Sequence, residues 1–188
     1  MKKSLVIVSL LSLGLTTNSS VLTPFLPNTV TVLAEETEKD ELPLTEYKND
    51  LFVKDAEDAT FEDEILKGNA YSIKVLKNEI EDIDGEKYIV FTFDTIVHKD
   101  HTDDPKITPF FAWDLNFKAI QDNDPNKINK LEYITPKEYQ EDEMAEIKPG
   151  GVVRSAVAYK LTDEKTPVTL LAEDILGNNF GKEEYKIK

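Results

Sequence analysis

Residues 71–97 read YSIKVLKNEIEDIDGEKYIVFTFDTIV and decide the fold. Apolar and polar side chains alternate over 71–75, and over 88–97 large apolar side chains recur on one face, which is the period of a β-strand. Between the two runs stands Asp84-Gly85, the kind of dipeptide that forms a two-residue hairpin turn. The stretch predicts an antiparallel hairpin. Its second strand places four apolar side chains on one face, with Thr95 among them: Ile89, Phe91, Phe93 and Val97.

Further alternating runs follow toward the C-terminus. A second clear strand is expected over 111–121, FAWDLNFKAIQ, where four side chains share the inward face: Trp113, Leu115, Phe117 and Ala119. The other expected strands are 152–161, 168–172 and 180–187, with a short edge strand at 131–134. Turns rich in Gly, Pro, Asn and Asp separate these runs, and no long amphipathic helix interrupts them. The pattern predicts an all-β fold, an antiparallel β-sandwich of about seven strands.

Two segments allow more than one structure. Residues 51–69 predict either a short helix or an irregular segment, and the helix would be capped by Asp58 or Thr60. Its buried face would carry Phe61, Ile65 and Leu66. Residues 136–144 predict one helical turn or a loop.

The N-terminus has the pattern of an export signal. Lys2 and Lys3 precede an apolar run over residues 5–15, which is too short to span a bilayer. Small residues in Val32-Leu33-Ala34 predict cleavage after Ala34, so that 1–34 is a signal peptide; an uncleaved anchor is the alternative. The charged residues 35–50 then predict an acidic flexible linker, and 51–188 the folded domain, with its core in 70–188.

Charge and cysteine content exclude several classes of function. The chain has 37 acidic and 22 basic residues, and removal of residues 1–34 takes away two lysines and no acid, lowering the net charge from −15 to −17. This balance argues against nucleic acid as a partner, because phosphate binding needs a basic face. The chain has no cysteine, which excludes disulfides, thiolate metal sites, a cysteine nucleophile and a lipid-modified cysteine.

Two short clusters could hold a metal ion. His98 and His101, with Asp100, Asp103 and Asp104 around them, combine ligands suited to a transition metal, but their spacing matches no zinc motif and a solvated loop is the favoured interpretation.

Asp122, Asp124 and Asn126 form the oxygen-rich opening of a calcium loop, D-x-D-x-N. Lys127 replaces the glycine that an EF-hand requires, and Tyr133 replaces its final glutamate. A turn is favoured there, and a calcium site of another type is the alternative. Asp174 with Asn178 and Asn179 is a weaker version of the same pattern.

Catalytic patterns are weak throughout the sequence. Serine hydrolysis needs a serine with a base and an orienting acid, yet no G-x-S-x-G is present, both histidines share one loop, and Ser155 lies in an expected strand. Carboxylate pairs of the glycosidase type carry little information in so acidic a chain. We therefore expect neither enzymatic activity nor a cofactor.

Several strand-and-turn segments resemble a known group of proteins. They are FTFDTIV at 91–97, FKAIQD at 117–122, IKPGG at 147–151, AYKL at 158–161 and TPVTL at 166–170. These segments resemble extracellular domains of unknown function in secreted and surface-anchored proteins of Gram-positive bacteria. That group has a telokin-like, immunoglobulin-like fold, so the resemblance, which covers about residues 70–188, implies an immunoglobulin-like sandwich. Members often carry Thr-Asn where this chain has Thr95-Ile96, and many are lipoproteins, for which this chain lacks the cysteine. The group offers no catalytic residue to transfer.

These observations predict a secreted, extracellular, non-catalytic binding module that contacts a protein or a cell-envelope component. Its contact surface would be the loops 98–109, 122–130 and 174–179. We expect a monomer, with no nucleic-acid partner and no membrane insertion once the signal is cleaved. The alternatives are a calcium-stabilised extracellular binding domain and a secreted hydrolase.

Overall fold

The computed structural model describes residues 49–102 and 105–187. The predicted signal peptide, 1–34, and most of the predicted linker lie outside these residues. The last two linker positions, 49–50, belong to a short 3₁₀ turn, Asn49–Leu51. No helix within the described ranges has the length and apolar character needed to cross a bilayer.

Two antiparallel sheets form a β-sandwich, as predicted. One sheet contains β1 (Thr60–Glu62), β2 (Ile65–Lys67), β3 (Tyr71–Ile83), β4 (Glu86–Val97), β7 (Tyr133–Ile134) and β8 (Val152–Lys160). The other contains β5 (Phe117–Gln121), β6 (Asn129–Lys130), β9 (Val168–Glu173) and β10 (Asn179–Tyr185). The strand orders are β1-β2-β3-β4-β8-β7 and β10-β9-β5-β6. The described residues contain three strands that the sequence did not predict, β1, β2 and β6, and each of them is only two or three residues long.

The hairpin that decides the fold is confirmed. Strands β3 and β4 pair from Ile83 opposite Glu86 to Tyr71 opposite Val97. Asp84 and Gly85 both have positive φ, 54° and 83°, as a type I′ turn requires. The turn is closed further by the Gly85 N–H, which donates to Asp82 Oδ1 at 3.0 Å.

The core lies between the two sheets, and β4 is at its centre. The predicted inward side chains of this strand are all buried, and they pack against side chains of the second sheet: Ile89, Phe91, Phe93 and Val97. The other face of β4 is covered as well. Val90 forms a second small cluster with Ala156 and Ala158, against which Tyr139 of the 3₁₀ turn Lys137–Tyr139 packs. Burial on both faces explains the nearly continuous apolar run in this strand.

The single strand predicted over 111–121 is wrong in its first half. Residues Pro109–Asp114 form helix α1, and β5 begins only at Phe117. Thr108 starts the helix, because its Oγ1 accepts a hydrogen bond from the Phe111 N–H at 3.2 Å and Pro109 occupies the first turn. Trp113 is still buried in the core, but Leu115 points to solvent and is 45% exposed.

The second half of the segment 51–69 forms a hairpin, which neither prediction for this segment included. Strands β1 and β2 pair, and Phe61 lies opposite Leu66. Asp63 and Glu64 make the turn with φ of 50° and 63°. Phe61 and Leu66 are both buried, as expected, but they share a face through cross-strand pairing instead of helical spacing. Residues 52–59, before the hairpin, are irregular apart from a 3₁₀ turn, Ala56–Asp58, which agrees with the prediction of an irregular segment.

The remaining predictions are confirmed with small shifts. The expected strands 152–161, 168–172 and 180–187 correspond to β8, β9 and β10. The expected edge strand is β7, and the segment 136–144 contains one 3₁₀ turn.

Thr95 breaks the apolar pattern of the core and provides a test of packing. Its side chain is buried, and its Oγ1 has no hydrogen-bond partner in the described part of the chain. An unsatisfied buried hydroxyl costs about 1–3 kcal/mol, and valine has nearly the same shape without it. We therefore expect Thr95→Val to increase the free energy of unfolding by about 1 kcal/mol in urea denaturation.

The matched control is Thr108→Val, another buried threonine, whose hydroxyl caps α1. That variant should lose about 1 kcal/mol. A loss of similar size for Thr95→Val would contradict the view that its hydroxyl is unsatisfied.

Candidate functional site

The two ends of the sandwich differ, and one of them contains a cleft. We call the end where β3 begins at Tyr71, β4 ends at Val97 and β9 ends at Glu173 the cleft end. The predicted contact loops 98–109 and 174–179 follow β4 and β9, so both lie at the cleft end. The loop 122–130 follows β5 and lies at the opposite end, beside the start of β9. The three predicted loops therefore do not form one surface.

The cleft has a volume of about 220 Å³. Its apolar wall is made of three alanines, one leucine and one phenylalanine from three separate segments: Ala56, Ala59, Leu66, Ala70 and Phe180. Its polar lining consists of Asn69, Tyr71, Asn116 and Asp174, and Gly68 also lines it. One of these lining residues is acidic and none is basic.

Tyr71 and Asn116 form the floor contact that joins the two sheets. Asn116 Nδ2 donates to the Tyr71 hydroxyl oxygen at 2.6 Å and to the Ala112 carbonyl oxygen at 2.8 Å. Burial raises the pKa of the Tyr71 hydroxyl, and the bond from Asn116 offsets only part of that effect. The hydroxyl is therefore neutral near pH 7 and offers the cleft a polar but uncharged group.

Asp174 builds the loop that forms one wall of the cleft. Its Oδ1 accepts hydrogen bonds from the Leu176 N–H at 2.9 Å and the Asn178 N–H at 2.8 Å. Its Oδ2 accepts from Asn178 Nδ2 at 2.7 Å. These bonds, the side-chain bond from Asn178 first, lower the pKa of Asp174 below its ordinary value. Asp174 and Asn178, two residues of the weakest predicted calcium pattern, are thus close together. In the structure their hydrogen bonds stabilise a turn.

The same turn presents two large apolar side chains to solvent. Ile175 and Leu176 at its tip are 78% and 83% exposed. Gly177 follows with φ of 86°, a left-handed conformation that favours glycine, and its N–H donates to the Asp174 carbonyl oxygen at 3.0 Å. The exposed pair is therefore part of a closed, internally bonded loop.

The side chains of the two histidines form hydrogen bonds within the loop that contains them. The His98 ring packs edge-on against Phe52 at 4.7 Å, and its Nδ1 accepts a hydrogen bond from the Asp100 N–H at 3.2 Å. His101 Nε2 lies 3.1 Å from the Pro105 carbonyl oxygen. Asp103 and Asp104 lie outside the described residues. Within 49–102 and 105–187, no three carboxylate or imidazole groups meet in an arrangement that could hold a metal ion.

The predicted calcium residues lie at the opposite end. Asp124 Oδ1 accepts a hydrogen bond from the Asn126 N–H at 2.8 Å, which is the local turn that the sequence favoured. Asp122 is exposed at the start of this loop. Calcium binding here stays a prediction.

A buried polar network next to this loop escaped the sequence analysis. The Gln121 side chain is buried; its Oε1 accepts from the Thr162 N–H at 2.7 Å, and its Nε2 donates to the Thr166 carbonyl oxygen at 2.7 Å. Asp163 accepts from the Thr166 N–H at 2.7 Å and from Asn123, and these bonds hold its pKa well below the ordinary value. One sequence signal could have indicated this network: Gln121 is a polar residue on the same inward face of the strand as Phe117 and Ala119. The network braces the loop between β8 and β9.

Comparisons with known proteins agree with this fold. The model of a domain of unknown function, DUF5067, matches residues 48–174. A solved structure of a protein from Staphylococcus aureus subsp. aureus NCTC 8325, described as a putative lipoprotein, is 19% identical, with a TM-score of 0.58. The match covers 69% of this chain and 92% of that one, and at this identity it concerns the fold. No curated protein matches the chain. Because the family model spans more than half of its length, the chain belongs to the DUF5067 family of domains of unknown function.

Proposed function

We propose that the chain is an exported, non-catalytic binding module that contacts a protein or a cell-envelope component through its cleft end. The observation that carries this proposal is the exposure of Ile175 and Leu176 on a loop held closed by Asp174. Burial of large apolar side chains away from water is favourable, so an ordered loop that keeps them exposed is typical of a contact surface.

Leu115 is a further exposed apolar residue close to this loop in the fold. The carbonyl oxygen of the next residue, Asn116, accepts a hydrogen bond from the Glu173 N–H at 2.9 Å. Leu115 therefore lies beside the base of the 174–178 turn, on the connection between α1 and β5. Apolar side chains from two segments give a broader surface than a single loop tip, as the centre of a protein interface needs.

Three features support a place outside the cell. Residues 1–34 have the pattern of an export signal, the chain is strongly acidic, which favours solubility, and its fold is similar to that of the Staphylococcus aureus protein named above. We also infer that the sandwich is immunoglobulin-like, as the sequence resemblance implies. The burial of Trp113 between two facing antiparallel sheets supports this inference.

The placement of the reactive side chains supports a non-catalytic role. Ser155 is buried in β8, on the core side, where a substrate would not reach it. The side-chain hydrogen bonds of His98 and His101 lie within the loop 98–109. Nucleophilic catalysis needs a serine, a base and an acid within hydrogen-bond reach of one another.

The experiment compares photo-cross-linking from the two ends of the sandwich. A photoreactive side chain placed at Leu176 should capture one defined species from envelope and culture fractions of the producing organism. The matched control is the same group at Ile128, which is 64% exposed at the opposite end. Capture from position 176 should fall when Ile175 is replaced by serine, because the apolar contact weakens. Equal capture from both positions, or capture only from 128, would contradict the proposed contact surface.

A further inference from the structure

We propose that the cleft beside the 174–178 turn receives the side chain of an arginine or lysine from a partner polypeptide. This inference deepens the proposed function and rests on it. The long aliphatic stem of that side chain would lie in the apolar part of the cleft, and its cationic head would lie at the acidic rim.

The volume of the cleft suits a single side chain better than a larger ligand. Its volume is about 220 Å³. Pockets that hold cofactors and drug-sized molecules are usually about 300–1,000 Å³. A single long side chain fits the smaller space, and the exposed apolar residues beside it would contact the rest of the partner.

The lining matches an amphipathic side chain. The wall of Ala56, Ala59, Leu66 and Phe180 is apolar and shaped mostly by small groups. Lysine and arginine side chains bury their methylene stems along such surfaces and keep the charge at the edge. A short polar side chain would leave the apolar wall uncovered.

The charge around the cleft selects a cation. Asp174 lines it, and its lowered pKa keeps its carboxylate ionised near neutral pH. The adjoining segment 55–58 contributes three exposed acids, Asp55, Glu57 and Asp58, against Lys54 before it. Lys67 flanks the cleft without lining it. A basic partner would therefore meet a complementary field, whereas an acidic one would be repelled.

The test titrates the full chain with short peptides that are uncharged except at one central residue, which is arginine, lysine, citrulline or norleucine. Binding is measured from changes in the backbone amide chemical shifts of the protein by NMR. The arginine and lysine peptides should shift the resonances of Ala56, Ala70 and Tyr71. They should bind at least about tenfold more tightly than the citrulline and norleucine peptides, which lack the charge.

Three variants separate the cleft from general electrostatics. Ala56→Trp fills the cleft from an exposed position and should abolish the shifts. Glu57→Gln should weaken binding several-fold, whereas Glu164→Gln, an exposed glutamate in the loop between β8 and β9, should leave it unchanged. Equal binding of the citrulline peptide, shifts that survive Ala56→Trp, or no shifts at all would overturn the inference. If cross-linking from Leu176 succeeds while Ala56→Trp has no effect on it, the cleft assignment fails and the proposed contact surface stands.

Discussion

Replacement of Trp113 by alanine should lower the free energy of unfolding by about 3–5 kcal/mol, the largest effect we expect from a single change. The centroid of the Trp113 ring lies 4.3 Å from the ring centroid of Phe93 and 4.5 Å from that of Phe117. Trp113 therefore contacts both sheets at the centre of the core. Its Nε1 donates to the Tyr159 hydroxyl oxygen at 2.8 Å. Alanine would leave a large cavity and remove this buried hydrogen bond. Urea denaturation measures the loss.

Phe111→Ala is the matched control, because Phe111 is an aromatic residue on the same helix but is 46% exposed. That variant should change stability by about 1 kcal/mol or less. Similar losses for both variants would mean that helix α1, and not core packing by Trp113, determines the effect.

Loss of the Arg154 guanidinium should also be costly. Asp94 is fully buried on the outer face of β4, and its carboxylate oxygens accept from Arg154 Nε at 3.0 Å and Nη2 at 3.4 Å. Removal of this cation takes two hydrogen bonds and the adjacent positive charge from a buried carboxylate, which is strongly destabilising. The Arg154 side chain is itself 30% exposed, so the full cost of a wholly buried pair is not expected. We expect Arg154→Met to lower the free energy of unfolding by about 2–4 kcal/mol.

Lys160→Met provides the comparison on the same strand. The Lys160 Nζ lies 3.0 Å from Glu86 Oε1, but both side chains are exposed, and such pairs contribute about 1 kcal/mol or less. Thermal denaturation should therefore separate the two variants clearly. If Arg154→Met were as stable as Lys160→Met, the Asp94 carboxylate would have to be satisfied by other groups.

The central hairpin could be predicted because its local signals agree. The β-strand period in 71–75, the recurrence of large apolar side chains on one face of β4 and the Asp84-Gly85 turn all specify the same structure. Helix α1 could not be separated from β5, because Phe110, Phe111 and Trp113 are residue types common in strands. The signal that was present is Thr108 followed by Pro109, a capping residue and a first-turn proline.

The candidate site was only partly predictable for a physical reason. The loop 174–179 could be recognised as a turn from Asp174, Gly177 and the asparagines after it. The cleft beside it could not, because its lining comes from distant segments and four of its ten residues are alanine or glycine. Small side chains leave a cleft open only where the surrounding segments are held apart. Here the positions of those segments depend on the pairing of β1 with β2 and on the contact between Tyr71 and Asn116.

The most direct test of the proposed contact surface is hydrogen exchange of the full chain, alone and bound to the partner captured from position 176. We predict slower exchange at 174–178 and at 66–71, with exchange at 122–130 unchanged. Protection confined to 122–130, or absent from 174–178, would contradict the claim that the cleft end of the sandwich binds the partner.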